Sequence, residues 1–262
     1  MEMITSIHNE RVKRARSLRE GRERKRRGLL LIEGSRFILE AVEAGARLSE
    51  CFYSEAATAA EDRRLIALLE QLGVELVPVS HQVLITLADT QTPQGIIAVA
   101  YAPNQAGADV LTRGELVLVA DEIRDPGNLG AILRTVAAVG AGLILMAGSV
   151  DLTNPKVIRS SAGACYAVPI WQAAKLAEVT GALKQHGYRT FVMDMNGAKS
   201  IYQVDLSGRI AFVIGNEAHG PSPAWEHQGA ELIHIPMPGR VESLNAGVAS
   251  ALVLYEALRR RL

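Results

Sequence analysis

The sequence predicts an α/β fold in two domains. Apolar runs of strand length alternate with segments of helical periodicity, which is typical of sheets covered by helices. The stretch PNQAGADVLTRG at 103–114 interrupts this alternation and is rich in proline, glycine and polar residues, as linkers are. A chain of 262 residues is long enough for two cores. We therefore expect a first domain over 1–102, a linker over 103–114 and a second domain over 115–262.

Each predicted domain contains its own strands and helices. In the first, we expect strands LLLIEG (29–34), LSECFYS (48–54), VELVPVS (74–80) and GIIAVAYA (95–102), and helices over 35–45 and 56–73. In the second, we expect strands ELVLVADEI (115–123), GLILMAG (142–148), YRTFVMDM (188–195), RIAFVIG (209–215) and ELIHIPM (231–237), and helices over 129–139, 174–187 and 245–261.

Composition excludes several classes of protein. Lys+Arg and Asp+Glu are equal at 28 each, so no overall charge indicates a nucleic-acid partner. Cys51 and Cys165 form no C-x-x-C pair, and the six histidines have no metal-ligand spacing, so we expect no disulfide framework and no metal. No apolar run approaches the length of a membrane span, and we expect a cytoplasmic protein without a membrane partner.

The segment RVKRARSLREGRERKRR at 11–27 is almost wholly basic. Two interpretations are open: a solvated helix face, or an arm whose cations pair with phosphates. If the second holds, the RNA-binding candidates of this arm and of the helix that follows are Arg11, Lys13, Arg14, Arg24, Lys25, Arg26 and Arg36.

The stretch DPGNLGAILRT at 125–135 lies between two apolar runs, as a dinucleotide-binding loop would. The G-x-G-x-x-G fingerprint is missing, which disfavours a nucleotide-dependent oxidoreductase. In the helix that follows, apolar residues recur at helical spacing and Arg134 points away from them, while Asn128 lies at the helix start. By themselves, a solvated arginine and an N-capping asparagine explain these two residues.

Two later stretches also place polar groups directly after apolar strands. They are IAFVIGNEAHGPSP at 210–223 and ELIHIPMPGRVESLNAG at 231–247. In an open α/β sheet, the loops at the carboxyl ends of the strands converge on one crevice, where ligands bind. The three loops together therefore predict one site.

These three stretches resemble, in order and spacing, the three motifs of the SpoU/TrmH family of S-adenosylmethionine-dependent RNA ribose 2′-O-methyltransferases, of the SPOUT superfamily. NPKVIRSSAGACYAVPI at 154–170 is similar to the family's Ser-Ala-Gly segment. IEGSRFILEAV at 32–42 and TQTPQGIIAVA at 90–100 resemble an L30e-like substrate-binding domain, which favours ribosomal RNA over transfer RNA as the substrate.

The resemblance implies a deep trefoil knot in the catalytic domain, a homodimer, and S-adenosylmethionine as the cofactor. It assigns cofactor binding to Gly215, Asn216, Ile235, Met237, Pro238 and Leu244. It assigns the catalytic site to Arg134, Asn128, Glu217, Ser243 and Asn245, with Arg134 at the reacting hydroxyl and Glu217 pairing with it. Core packing and helix capping are the structural alternatives for several of these residues.

The function expected is therefore 2′-O-methylation of a ribose in RNA, most of all in large-subunit ribosomal RNA. The alternative is a catalytically inactive RNA-binding protein of the same fold. Arginine is locked in its charged form, so we expect Arg134 to hold phosphate and stabilise alkoxide charge, with the general base left open.

Overall fold

The computed structural model describes residues 2–54, 60–90, 94–216 and 218–262. It confirms a mixed α/β fold with two separate sheets. Its backbone falls into two compact units, one made of Met1–Pro103 with Asp151–Tyr166, the other of Asn104–Val150 with Ala167–Leu262. The segment Asp151–Tyr166, which the sequence interpretation gave to the catalytic domain, thus packs with the first unit.

The first unit is built on a four-stranded sheet. The elements in chain order are α1 (Glu10–Ser17), α2 (Gly21–Arg27), β1 (Leu29–Glu33), α3 (Ser35–Glu43), β2 (Leu48–Tyr53), α4 (Ala60–Gln71), β3 (Glu75–Pro78), α5 (His81–Leu87) and β4 (Ile96–Tyr101). The strand order is β1-β4-β2-β3, with β4 antiparallel to both neighbours and β2 parallel to β3. Side chains of α1 and α5 bury one face of this sheet.

The second unit holds a seven-stranded sheet. A 3-10 helix (Gly107–Thr112) precedes β5 (Leu116–Ala120), α6 (Pro126–Val139) and β6 (Gly142–Met146). After α7 (Pro155–Ser160) and α8 (Ala164–Ala167) come β7 (Ile170–Ala173), α9 (Leu176–Gln185), β8 (Arg189–Met193), β9 (Lys199–Ser200), β10 (Ile210–Ile214), α10 (Ala224–His227), β11 (Glu231–His234) and α11 (Ala246–Arg259). The order is β7-β6-β5-β10-β8-β11-β9, and every pair of neighbours is parallel.

A parallel sheet explains both the apolar strands and the common site. All residues of β5, β6 and β10 are buried, which is why these strands read as continuous apolar runs. Because every strand runs the same way, the loops after β5, β8, β10 and β11 leave one edge of the sheet. The expected knot concerns how the chain threads through itself, which strand order does not define, and it stays a prediction.

All the predicted strands are present, within a few residues of their expected ends, and so are the predicted helices; residues 56–59 of the helix expected over 56–73 lie outside the described ranges. The pattern missed α5, β7, β9 and the short helices, which have too few residues to show a period. The basic arm forms two helices, and Gly28 ends α2 with a φ of 62°.

Candidate active site

The start of α6 differs in one respect from the sequence interpretation. The helix begins at Pro126, and Asp125 is its N-cap, since the Asp125 carboxylate accepts a hydrogen bond of 2.8 Å from the backbone N–H of Asn128. Asn128 is therefore the third residue of the helix and not its cap. With the capping role taken by Asp125, the Asn128 side chain is available for another contact.

That contact is with the last helix. The side-chain amide of Asn245 donates a hydrogen bond of 2.7 Å to Oδ1 of Asn128, while its own Oδ1 accepts from the backbone N–H groups of Gly247 and Val248. Asn245 therefore caps α11, as the structural alternative held, and at the same time joins α11 to α6. A Cβ on Gly247 would lie 2.9 Å from the Cβ of Ala131, so glycine allows the two helices to approach closely here.

A cavity of about 270 Å³ lies at the amino ends of β8 and β11 and contains none of the predicted residues. A larger one, of about 510 Å³, opens between the second and third predicted loops, and no residue of the first loop, 125–135, is among its lining residues. Residues after β10, after β11 and at the start of α11 line it, and these include the predicted Gly215, Asn216, Ile235, Met237, Ser243 and Leu244.

The predicted residues divide between this cavity and its surroundings. Pro238, Asn245, Asn128 and Arg134 are not among the lining residues. Arg134 is exposed on α6, and within the described ranges its guanidinium has no hydrogen bond or ion pair. Glu217 lies outside the described residues, so its pairing with Arg134 stays a prediction.

The segment after β8 is the part of the cavity that sequence reasoning missed. Asp194, Met195 and Asn196 line it, together with His219 and His234. The Asp194 carboxylate accepts hydrogen bonds from the backbone N–H and the side-chain amide of Asn196, at 2.8 and 3.0 Å. The signal was available, because DMNGA also places polar groups directly after an apolar strand.

The cavity suits a ligand that carries positive charge. Asp194 and Glu242 are acidic, and the lining contains no lysine or arginine among the described residues. Most of the remaining lining is apolar side chains and glycine backbone, as in many nucleotide pockets. S-adenosylmethionine, an adenosine with a sulfonium, fits this set of groups. No group of three or more metal-ligating side chains occurs among the described residues.

The loop after β10 is shaped by one glycine. A Cβ on Gly215 would lie 1.9 Å from the nitrogen of Pro221, so any other residue would displace the chain. Asn216 and Gly220 form an isolated antiparallel bridge, with the Gly220 N–H donating to the Asn216 carbonyl at 2.8 Å. The loop therefore folds tightly back on itself at the cavity.

The predicted RNA-binding cations have different environments within the first unit. Arg24 is buried, and its guanidinium donates to the carbonyls of Leu18 and Arg19 and to the Thr153 hydroxyl. Arg11 is half-buried and pairs with Glu50 and Glu75. The remaining candidates, Lys13, Arg14, Lys25, Arg26 and Arg36, are exposed. Arg24, one of the seven predicted RNA-binding residues, is therefore buried within the first unit and stabilises its fold, while RNA contact by the exposed candidates stays a prediction.

Comparison with known proteins identifies the family. Residues 115–255 match the model of the SpoU rRNA Methylase family, and residues 9–98 match an MRM3-like substrate binding domain. The chain belongs to the SpoU rRNA methylase family. This family model spans α6, the cavity loops and most of α11.

Relatives match this SpoU chain over nearly its whole length. An uncharacterized tRNA/rRNA methyltransferase of Synechocystis sp. is 33% identical over 98% of this chain and 94% of its own. The 23S rRNA (guanosine(2553)-2′-O)-methyltransferase RlmP of Bacillus subtilis is 28% identical over 97% and 98%. The crystal structure of the SpoU methyltransferase AviRb from Streptomyces viridochromogenes in complex with AdoMet superposes with a TM-score of 0.85, at 29% identity and over 97% and 98% of the two chains.

Proposed function

We propose that this chain transfers a methyl group from S-adenosylmethionine to the 2′-hydroxyl of a ribose in large-subunit ribosomal RNA. One observation carries the proposal: two of the family's three motif loops, those after β10 and β11, line a cavity of about 510 Å³ that is acidic and otherwise largely apolar. AviRb, with the same fold, has been crystallised with AdoMet, and RlmP acts on 23S rRNA.

S-adenosylmethionine supplies an activated methyl group, so the protein's main task is to position the groups that react. The backbone around Gly215, Ile235 and Leu244 can recognise the adenine edges, and Met237 and Pro238 can shape its pocket. Asp194 and Glu242 place negative charge in the same cavity as the sulfonium. No lysine or arginine of the described lining opposes them.

Arg134 acts on the RNA. Its exposed guanidinium can hold the phosphate next to the reacting ribose and stabilise the charge that develops on the 2′-oxygen. The group that accepts the proton of the 2′-hydroxyl is left open, because arginines are normally held in their charged form. The Asn128–Asn245 hydrogen bond fixes α6, which carries Arg134, against the start of α11, beside the cavity residue Ser243.

The exposed cations of α1, α2 and α3 form the RNA-binding surface of the first unit. Lys13, Arg26 and Arg36 each pair with a glutamate three or four residues away on the same helix. Such exposed pairs contribute about 1 kcal/mol or less, so phosphate can displace the carboxylate. Lys25 lies 3.7 Å from Asp151, and Arg14 is exposed.

A homodimer is part of the proposal. Val248, Leu252 and Tyr255 are 49%, 42% and 52% exposed and follow one another along one stripe of α11. An exposed apolar stripe on a helix favours a protein partner, and a second copy can cover it through the self-complementary contact of a twofold dimer. Replacing Leu252 by Glu should produce monomers in light scattering; an unchanged dimer would contradict this surface.

We also propose that the protein works in the cytoplasm, where its RNA substrate is made. Within the described residues, none of the helices is long and apolar enough to cross a membrane.

The decisive experiment supplies labelled S-adenosylmethionine and unmodified ribosomal and transfer RNAs to the purified protein. We expect label in large-subunit RNA, at a ribose that resists alkaline cleavage after modification. The matched control is Arg134→Ala, which should bind the cofactor in calorimetry but transfer label about 100- to 1,000-fold more slowly. Cofactor binding without transfer to any RNA by the wild type would instead support the inactive RNA-binding protein.

A further inference from the structure

Asp121 is a buried carboxylate that none of the assigned roles uses. It directly follows β5 and precedes the N-cap of α6 by four residues. Only 7% of it is exposed. A buried carboxylate is costly unless it is hydrogen-bonded, so its partners indicate what it does.

Those partners come from the segment that leads away from the cavity loop. One oxygen, Oδ2, accepts hydrogen bonds from the backbone N–H of Ser222 at 2.8 Å and from the indole N–H of Trp225 at 2.9 Å. Trp225 is fully buried in the core of the second unit, so its ring is a fixed anchor. Asp121 thus ties the end of β5 to residues about a hundred positions later.

The residues after β5 also hold the other end of this loop, where it leaves β10. The Asp121 N–H donates to the Ile214 carbonyl at 2.8 Å, and the Asn216 amide donates to the Glu122 carbonyl at 3.0 Å. Glu122 has a φ of 56°, in the left-handed region that residues with a side chain rarely adopt. Strain of this kind persists where the surroundings hold it, and it is often found at functional sites.

The tied segment contains the cavity wall. Gly215, Asn216, Gly220 and Pro221 line the cavity, and all four lie between the Ile214 contact and the Ser222 contact. Asp121 and Glu122 therefore fix both ends of this wall. Four residues after Asp121, Asp125 caps α6, so the helix that carries Arg134 has its own support.

We infer that Asp121 is a positioning residue for the methyl donor: it holds the 215–221 loop in the shape that binds the cofactor. The inference rests on the proposed function. It predicts that Asp121 matters for cofactor affinity more than for the rate at saturating cofactor, because the groups that act on the RNA are left in place.

Two variants test this, with wild-type binding of S-adenosylmethionine measured first by calorimetry. Asp121→Leu has a similar size but offers no acceptor to the two N–H groups, and Trp225→Phe keeps a buried ring but removes one donor. We expect Asp121→Leu to raise the Kd and the KM for S-adenosylmethionine at least tenfold, with kcat reduced less than threefold. Trp225→Phe should raise the Kd by a smaller factor, and by no further factor when combined with Asp121→Leu.

The matched control is Tyr188→Phe. Its hydroxyl is also buried in the second unit and donates to the carbonyls of Leu111 and Gly114. These groups lie at the amino ends of the strands, away from the cavity loops. This variant should lower Tm as Trp225→Phe does while leaving the Kd unchanged.

The outcomes are distinct. If the wild type binds the cofactor and both loop variants keep its Kd while losing Tm, Asp121 is only a structural residue and the inference is overturned. If the wild type itself binds no S-adenosylmethionine, the proposed function fails instead. Should Asp121→Leu not fold, the comparison of Trp225→Phe with Tyr188→Phe still decides.

Discussion

Two regions are conspicuous in the sequence: the basic helices α1 and α2, and the loops around the cavity. In the structure the loop residues come together, whereas the cations of the helices do not. In the helices, charge is divided: Arg24 and Arg11 serve the first unit internally, while Lys25 and Arg14 are exposed. In the loops, six predicted residues line one cavity. Parallel strands force their following loops to one edge, whereas a run of charges dictates no common direction.

The largest effect should come from Arg134, the one charged residue of the assigned catalytic set within the described ranges, whose exposed guanidinium has no hydrogen bond or ion pair there. Arg134→Ala should lower methyl transfer at saturating cofactor about 100- to 1,000-fold, the loss typical of removing one group that stabilises developing oxyanion charge. The cofactor Kd should stay unchanged. Single-turnover transfer and calorimetry measure the two quantities.

Arg113→Ala, at another exposed arginine of the second unit, is the control and should transfer at the wild-type rate. Transfer at the wild-type rate by Arg134→Ala would contradict a catalytic role for Arg134. The first motif stretch would then be no more functional than the solvated part of the basic arm.

The next effect concerns Arg24 and is on stability. Arg24→Met keeps the apolar stem but leaves the Leu18 and Arg19 carbonyls and Thr153 without a donor, so the free energy of unfolding should fall by about 2 kcal/mol. Urea denaturation measures it.

Its neighbour Lys25 gives the matched control, since Lys25→Met on the exposed side should change stability by about 0.5 kcal/mol or less. Equal losses in the two variants would mean that the division of the arm into internal and exposed cations is wrong.

A smaller effect is expected on RNA affinity. Arg14→Ala and Lys25→Ala should each weaken binding a few-fold and lower the slope of log affinity against log salt by about 1, if each contacts one phosphate. Filter binding over a series of salt concentrations measures both. Lys184→Ala, in the second unit, should leave the slope unchanged. An unchanged slope in all three would support the solvated-face interpretation of the arm.

The smallest effect tests whether the basic end of the chain, like part of the arm, is structural. The hydrogen bond from Arg259, with that from Arg260, lowers the pKa of Glu256 to about 2. Arg260 in turn donates to carbonyls at 201, 202 and 204. Because the pKa of Glu256 in the folded state lies below the ordinary glutamate value of 4.5, the stabilisation is complete above pH 4.5 and is lost as the pH falls towards 2.

Thermal melts of Glu256→Gln and wild type should therefore differ most near pH 7 and converge between pH 4.5 and the lowest pH at which both fold. Glu70→Gln, at an exposed glutamate of α4, should show no such convergence. A gap independent of pH would assign the loss to packing and not to the carboxylate's charge.

The sequence by itself predicted the buried strands, several residues of the cavity and the exposed face of α6. Continuous apolar runs predicted β5, β6 and β10, because buried parallel strands need no polar face. The resemblance of the loops after β10 and β11 to the family's motifs predicted six of the residues that line the cavity. Arg134 was expected on the outer face of α6, and it is exposed there.

Contacts between residues distant in sequence were decided only by the tertiary structure. Local pattern suggested Asn128 as a cap, yet the cap is Asp125, and Asn128 bonds to Asn245, 117 positions later. The burial of Arg24 depends on Thr153, and that of Asp121 on Ser222 and Trp225. Periodicity records which face of an element is apolar, but a polar side chain gains its role from the partner that folding brings to it.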